Sequence, residues 1–200
     1  MNTNNDNVPV MLLALHYQNE NCHPDGKIKI GIREDADWRD ETLDSAKRLF
    51  AGFRERQLPI AHVRLAVRAD HKDVIQNNFI FKQWVEFGAW VEGTWGVKFY
   101  QGLEPLAEEF VVNHTRNNAF YNSQLAEIVN QVAPQRLAVA GVSTAYVVES
   151  TVRHASDVGY STAVVSDACS TATRQMHQNA LDAMRLVADV TSVDELLASI

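Results

Sequence analysis

Two histidines, His16 and His114, and the run Gly141-Val142-Ser143-Thr144 are the parts of this chain best suited to chemistry. Each follows an apolar run: Val8 to Leu15, Phe110 to Val112 and Leu137 to Ala140. An unperturbed imidazole titrates at about 6.5, so two of them in one pocket would form an acid/base pair, one donating while the other accepts. The plainer reading makes both neutral side chains that line a pocket. The Gly-Val-Ser-Thr run opens a helical stripe. A helix N-terminus offers free N–H groups and partial positive charge, which suits an anion or a carbonyl oxygen. Thr144 also stands where a helix cap belongs.

The remaining reactive residues give weaker signals. Cys22 and Cys169 form no C-x-x-C motif, and Cys169 follows an apolar run, as a buried structural thiol would. Arg116 is read either as a clamp for a substrate carboxylate or as a solvated loop residue, with the second favoured. His62 and Asp70-His71 lack convincing metal-ligand spacing and are read as structural or solvated, so neither a metal nor a cofactor is expected. Asp167 is expected to hydrogen-bond backbone at a strand end.

These residues need elements to hold them. Continuous apolar runs at Val8 to Leu15, Leu58 to Leu65, Phe110 to Val112, Leu137 to Ala140 and Thr162 to Val165 predict strands buried on both faces of a parallel sheet. Helical spacing links Leu43, Ala46, Phe50 and Phe53. A second stripe is Leu125, Ile128, Val129 and Val132, with Asn122 and Ser123 as candidate caps. Val147, Thr151, Ala155 and Val158 form a third, stopped by Gly159, and Met176, Ala180, Met184 and Val187 a fourth. Ser192-x-x-Glu195 is a capping-box pattern. The order β-α-β, an irregular stretch, then β-α-β-α-β-α and a short tail predicts a doubly wound α/β fold with right-handed crossovers. In such a fold, ligands bind beyond the carboxyl ends of the strands, where the two histidines and the turn fall. The aromatic-rich stretch 66–100 reads as an insertion. Its Trp84, Trp90 and Trp95 suit a pocket wall or lid, or equally an oligomer contact.

Five segments, in order along the chain, resemble the isochorismatase-like hydrolases. They are Leu12 to Asn19, Gly93-Thr94-Trp95-Gly96 with Leu103-Glu104-Pro105, His114 to Phe120, Gly141 to Gly159-Tyr160, and Val164 to Cys169. The resemblance implies a three-layer α/β/α sandwich around a mostly parallel, Rossmann-like sheet. It also implies a small substrate bearing a carboxylate, amide or enol ether, and a homodimer or larger homo-oligomer. The family's Asp-Lys-Cys triad falls on His16, His114 and Val147, and all three differ. A valine has no lone pair with which to attack a carbonyl, and thiol catalysis needs a thiolate beside a base and a cation. The resemblance thus points either to a hydrolase working by His16 and His114 without a cysteine, or to an inactive relative that binds a small molecule or serves an assembly. Tyr17, Gln18, Trp95, Arg116, Phe120, Ser143, Thr144, Tyr146 and Val147 are the implied binding residues, with a strained cis peptide expected at Val142-Ser143.

Length and charge fit this reading. The 200 residues suit one domain, with 1–7 as a polar, flexible arm. A net charge of -7 disfavours nonspecific attraction to nucleic acid or anionic lipid. With two cysteines and no apolar run near the ~18 residues of a membrane helix, a cytoplasmic protein without membrane or nucleic-acid partners is expected.

Overall fold

Six parallel strands run side by side in the order β3-β2-β1-β4-β5-β6. The computed structural model describes residues 8–28 and 35–200. The strands are β1 Met11–Leu15, β2 Ile60–Leu65, β3 Phe110–His114, β4 Arg136–Gly141, β5 Ser161–Val165 and β6 Asp189–Thr191. Their helices are α1 Asn19–Cys22, α2 Ala36–Glu55, α3 Phe79–Glu86, α4 Leu125–Val132, α5 Glu149–Asp157, α6 Arg174–Met184 and α7 Val193–Ser199. The expected α/β sandwich is therefore present. The arm at 1–7 lies outside the described residues.

The central strands are buried as continuous apolar runs require. All of β1 and nearly all of β4 are covered. β3, at the sheet edge, departs from that pattern: Val112 and His114 point inward, and Val111 and Asn113 face out. It also runs two residues further than expected, so His114 is its last strand residue. The sixth strand lies in what reads as a tail. Three residues, all at least partly exposed, carry no apolar run from which to infer it.

Right-handed crossovers put α2 on one face of the sheet and α4, α5 and α6 on the other. α7 packs against α2, and α5 against α6. Asp167 accepts the amide of Val193 at the start of α7 (2.9 Å), the backbone role expected of it. The capping box forms at α7: Ser192 accepts from the Glu195 amide, and Glu195 accepts from that of Ser192. At α4 the cap is Gln124 and uses no side chain, although the nearby Ser123 hydroxyl accepts the Leu125 amide.

The strand order reverses between β1 and β4. Successive strands step outward from β1 through β2 to β3 and, in the opposite direction, from β4 through β5 to β6. Such a switch point leaves a crevice at the carboxyl ends of the two strands. Gly141 lets them approach closely there, because a Cβ at this residue would meet the Leu15 carbonyl oxygen at 2.3 Å.

Candidate active site

The chain leaves β1 through His16, whose φ of 58° is left-handed. Histidine is among the side chains that tolerate this region. The turn carries the imidazole over the end of the sheet, where it meets His114 from the end of β3. Their Nε2 atoms share a hydrogen bond, and their ring centroids lie 4.8 Å apart. Nδ1 of His114 faces the Asn118 carbonyl at 3.2 Å. A carbonyl only accepts, so that nitrogen carries the proton and His114 Nε2 is bare. His16 must then donate through Nε2, which leaves Nδ1 as its one free lone pair. Both rings are buried. Burial holds His16 well below the ordinary imidazole value, with the neighbouring His114 adding to the effect, and lowers His114 to about 4. At neutral pH the pair is uncharged.

His16 lines a narrow cavity of about 40 Å³ at the switch point. Its apolar wall is Ile28, Leu65, Ile80, Trp84, Val142 and Val147. Its polar groups come from His16, Asn21, Trp90, Asn117, Ser143 and Tyr146. The turn after β4 supplies one side. It contains the expected cis peptide at Val142-Ser143 and continues as a π-helical turn, Thr144–Val148, before α5. Within it, the amides of Tyr146 and Val148 both donate to the Ser143 carbonyl, and that of Thr144 to Ser170.

The opposite wall comes from the 66–100 stretch. This segment builds a small core of its own from Ile28, Leu65, Val67, Val74, Phe81, Trp84, Ala89 and Trp90. Trp90 has a φ of 63°, a costly conformation for a bulky side chain. Its backbone is clamped on both sides. The amide donates to buried Glu20 (3.0 Å), and the carbonyl accepts from Val67 (2.9 Å). Glu20 also takes the Lys27 amide (3.2 Å), and through Trp90 this carboxylate fastens the 66–100 stretch to α1.

Of the expected binding residues, Ser143, Tyr146 and Val147 line the cavity with His16. The others do not. Tyr17 is buried in the core, its hydroxyl donating to Ala168. Gln18 is committed to backbone: it donates to Leu65 and Val97 and accepts from the Leu65 amide, joining the ends of β1 and β2. Trp95 packs edge-on against His23 and is 45% exposed. Phe120 stacks on His154. Arg116 is half-buried. Its fork donates to the Ile75 carbonyl and to Asn77, and its guanidinium lies 3.7 Å from the Phe81 ring centre. Thr144 does not cap through its side chain, which pairs with His177 Nδ1 at 2.8 Å. In each case a backbone group or ring nearer than the cavity takes up the side chain.

Sequence reasoning missed Asn21, Asn117, Ile28, Leu65 and Ile80. Asn117 falls in the loop after β3, and the rule of carboxyl-end loops points to it. Asn21, beyond the turn after β1, carries no such signal. Both cysteines are buried away from water, which pushes the Cys169 thiol up to about 12 and that of Cys22 higher still. His62 pairs with Glu109 (2.8 Å), which Arg54 also grips, whereas Asp70 pairs with Arg68. Among the described residues, no three His, Cys, Asp or Glu side chains converge in a way that would hold a metal ion.

Comparison with known proteins matches the geometry. The isochorismatase domain model covers residues 10–195. The uncharacterized isochorismatase family protein YddQ of Bacillus subtilis (strain 168) is 27% identical over 172 residues, spanning 86% of this chain and 83% of that protein. The crystal structure of an isochorismatase family protein from Desulfovibrio vulgaris superposes with a TM-score of 0.84 at 26% identity, covering 96% of this chain and 100% of that one. A cysteine hydrolase from Pseudomonas syringae pv. phaseolicola has the same fold, with a TM-score of 0.85 at 16% identity over 96% of this chain and 92% of that one. With a domain match along almost its whole length and the switch-point cavity in place, this chain belongs to the isochorismatase family.

Proposed function

We propose that the protein is a small-molecule hydrolase of this family that works by acid/base chemistry on the His16–His114 pair, without a cysteine nucleophile. The observation that carries this reading is the Asn118 carbonyl on His114 Nδ1, because it fixes the direction of every proton in the pair. A water in the cavity gives its proton to His16 Nδ1 as its oxygen attacks the substrate carbonyl. The Nε2 proton of His16 moves to His114 Nε2, and the resulting imidazolium keeps its bond to Asn118. Collapse of the adduct returns the protons along the same path, and His16 Nδ1–H protonates the leaving nitrogen. The amide of Val147, a residue that lines the cavity and whose N–H neither Ser143 nor Ser170 takes up, is the donor for the developing oxyanion. This arrangement offers a base to the substrate rather than an acid. It therefore favours an amide over an enol ether, whose cleavage begins with protonation of carbon.

A second reading, an inactive member that only binds, is favoured by Val147. This buried hydrocarbon side chain lines the cavity at the position that the family resemblance assigns to the nucleophile. Hydrolysis of a panel of small amides decides between them. We expect wild-type turnover to fall about 10²-fold or more in His16→Ala and in His114→Asn, and to survive thiol alkylation. Equal rates in wild type and His16→Ala refute the acid/base role. Ligand-dependent thermal stabilisation with no turnover establishes the binder. Self-association, in the cytoplasm, completes the proposal. Exposed Phe79 and Ile75 on the insertion support it, and sedimentation of a monomer would refute it.

A further inference from the structure

Thr151 of α5 stands between Val147 and Ala155 in a stripe that is otherwise apolar, and all three residues are fully buried. Threonine is a poorer helix former than alanine, and a buried hydroxyl is kept where it has a partner. Here the partner is the Ala119 amide, which donates to Thr151 Oγ1 at 3.1 Å. Ala119 is itself fully buried, and among the described residues its N–H has this one acceptor.

The bond matters to the site because of the peptide to which that N–H belongs. The unit between Asn118 and Ala119 presents its N–H to Thr151 on one edge and its C=O to His114 Nδ1 on the other. The same carbonyl takes the Tyr121 amide at 3.1 Å, which closes a turn within the loop. The Tyr121 bond moves with the loop, whereas Thr151 belongs to a helix. Phe120 stacks on His154, further along α5, and holds the loop against that helix. Ring packing leaves a peptide plane free to tilt; a directional hydrogen bond sets it. α5 also continues directly from the turn Thr144–Val148, and Val147 lies about one turn before Thr151 on the same face. The segment that lines the cavity with Val147 therefore seats the carbonyl behind His114 with Thr151.

We infer that Thr151 is a positioning residue for the His16–His114 pair: by accepting the Ala119 N–H it fixes the 118–119 carbonyl on His114 Nδ1, so that the proton stays on that nitrogen and Nε2 stays bare to receive the proton of His16. The inference rests on the reading of this pair as the acid/base centre. Loss of the hydroxyl leaves a buried N–H without an acceptor, and the peptide tilts away from His114 to find one. His114 then shifts its proton to Nε2 and donates to His16 Nε2, while His16 shifts its own proton to Nδ1. No proton is gained or lost, and both rings stay neutral. In this reversed form His16 Nδ1 carries hydrogen and is no base toward water.

The test uses the full chain at neutral pH with isotope-labelled histidine. Nitrogen NMR separates a protonated ring nitrogen from a bare one, and His114→Gln assigns the His114 signals. The wild type is expected to carry the His114 proton on Nδ1. Thr151→Val, equal in shape but without the acceptor, is expected to shift the pair toward the reversed form. It should also lower kcat on small amides about threefold to tenfold, the worth of one hydrogen bond. KM should hold, because Thr151 does not line the cavity. Thr151→Ser, which keeps the hydroxyl, is expected to rescue both the spectrum and kcat. Should valine prevent folding, Thr151→Ala takes its place beside Thr151→Ser, since both lose the methyl group and only alanine loses the acceptor. A wild-type ring spectrum in a folded variant without the hydroxyl, or a serine variant that behaves like that variant, overturns the inference. A wild type already in the reversed form overturns both this inference and the acid/base proposal. Otherwise the two fail separately, because the spectrum needs no substrate. A shift of tautomer in a protein without turnover preserves the role of Thr151 and refutes the hydrolase, whereas His16-dependent turnover with a spectrum indifferent to position 151 does the reverse.

Discussion

Both imidazoles of the His16–His114 pair are stripped of water, and neither has a carboxylate partner among its hydrogen bonds. Their low affinity for protons in the folded protein has a consequence for stability. In the unfolded chain each takes up a proton near its ordinary value of about 6.5; in the folded protein His114 does so only at about 4 and His16 well below that ordinary value. Between those limits the unfolded state holds more protons, so acid favours unfolding. Stability from this source is fully present above about pH 6.5 and drains away as the pH falls, by up to about 1.4 kcal/mol per unit for each ring. Melting temperature measured from pH 7 down to 5 should therefore decline, and His114→Gln should make the decline shallower. His62 and His177, which burial also lowers, will maintain part of the slope in that variant. A profile unchanged by the substitution would show that His114 is not buried neutral.

The elements act on the site through their ends. β1 and β4 can lie close enough to form the crevice only because position 141 has no side chain. Gly141→Ala sets a methyl group 2.3 Å from the Leu15 carbonyl oxygen and 2.6 Å from the Leu15 Cβ, with backbone rather than a flexible tip in the way. One of the two central strands must move. We expect urea unfolding to show a loss of at least about 2 kcal/mol, in the range of overpacked cores. A stability equal to wild type would mean that the β1–β4 spacing is not what sets the switch point. The same logic applies to the short loops. Gln18 joins the ends of β1 and β2 by two bonds to the Leu65 backbone and makes a third to the Val97 carbonyl, which is why this side chain next to the cavity does not line it.

Across the whole molecule, the cavity joins two bodies of core. The sheet and its main helices form one, and the 66–100 stretch with Ile28 forms the other. Arg116 spans from the loop after β3 to Ile75, Asn77 and the Phe81 ring, and Glu20 spans from α1 to Trp90. These two side chains fasten the second core to the first. Arg116→Ala should raise amide hydrogen exchange over residues 74–91 while leaving β1 and β4 protected, because local opening follows the loss of local ties. Unchanged exchange over 74–91 would show that the small core stands without the arginine.

The alternation of apolar runs with helical stripes was enough to predict a doubly wound α/β fold and to point to the loops after β1, β3 and β4 as the candidate site. Those conclusions depend on local periodicity and chain order, both written along the sequence. The sixth strand escaped notice because three half-exposed residues have no period. Six of the expected contacts, among them Tyr17, Gln18 and Arg116, turned to nearby backbone or to neighbouring rings. Linear order cannot show which of two partners is nearer when both are far away along the chain. Only the folded molecule brought His16 against His114, a residue 98 positions further along the chain, and set Asn118 behind them. Only the fold, too, buried Trp90 Nε1 and Ser143 Oγ beside the cavity without a hydrogen-bond partner among the described residues. Residue type sets what a group can do; burial and distance, which belong to the tertiary structure, decide whether its partner is water, protein or a ligand.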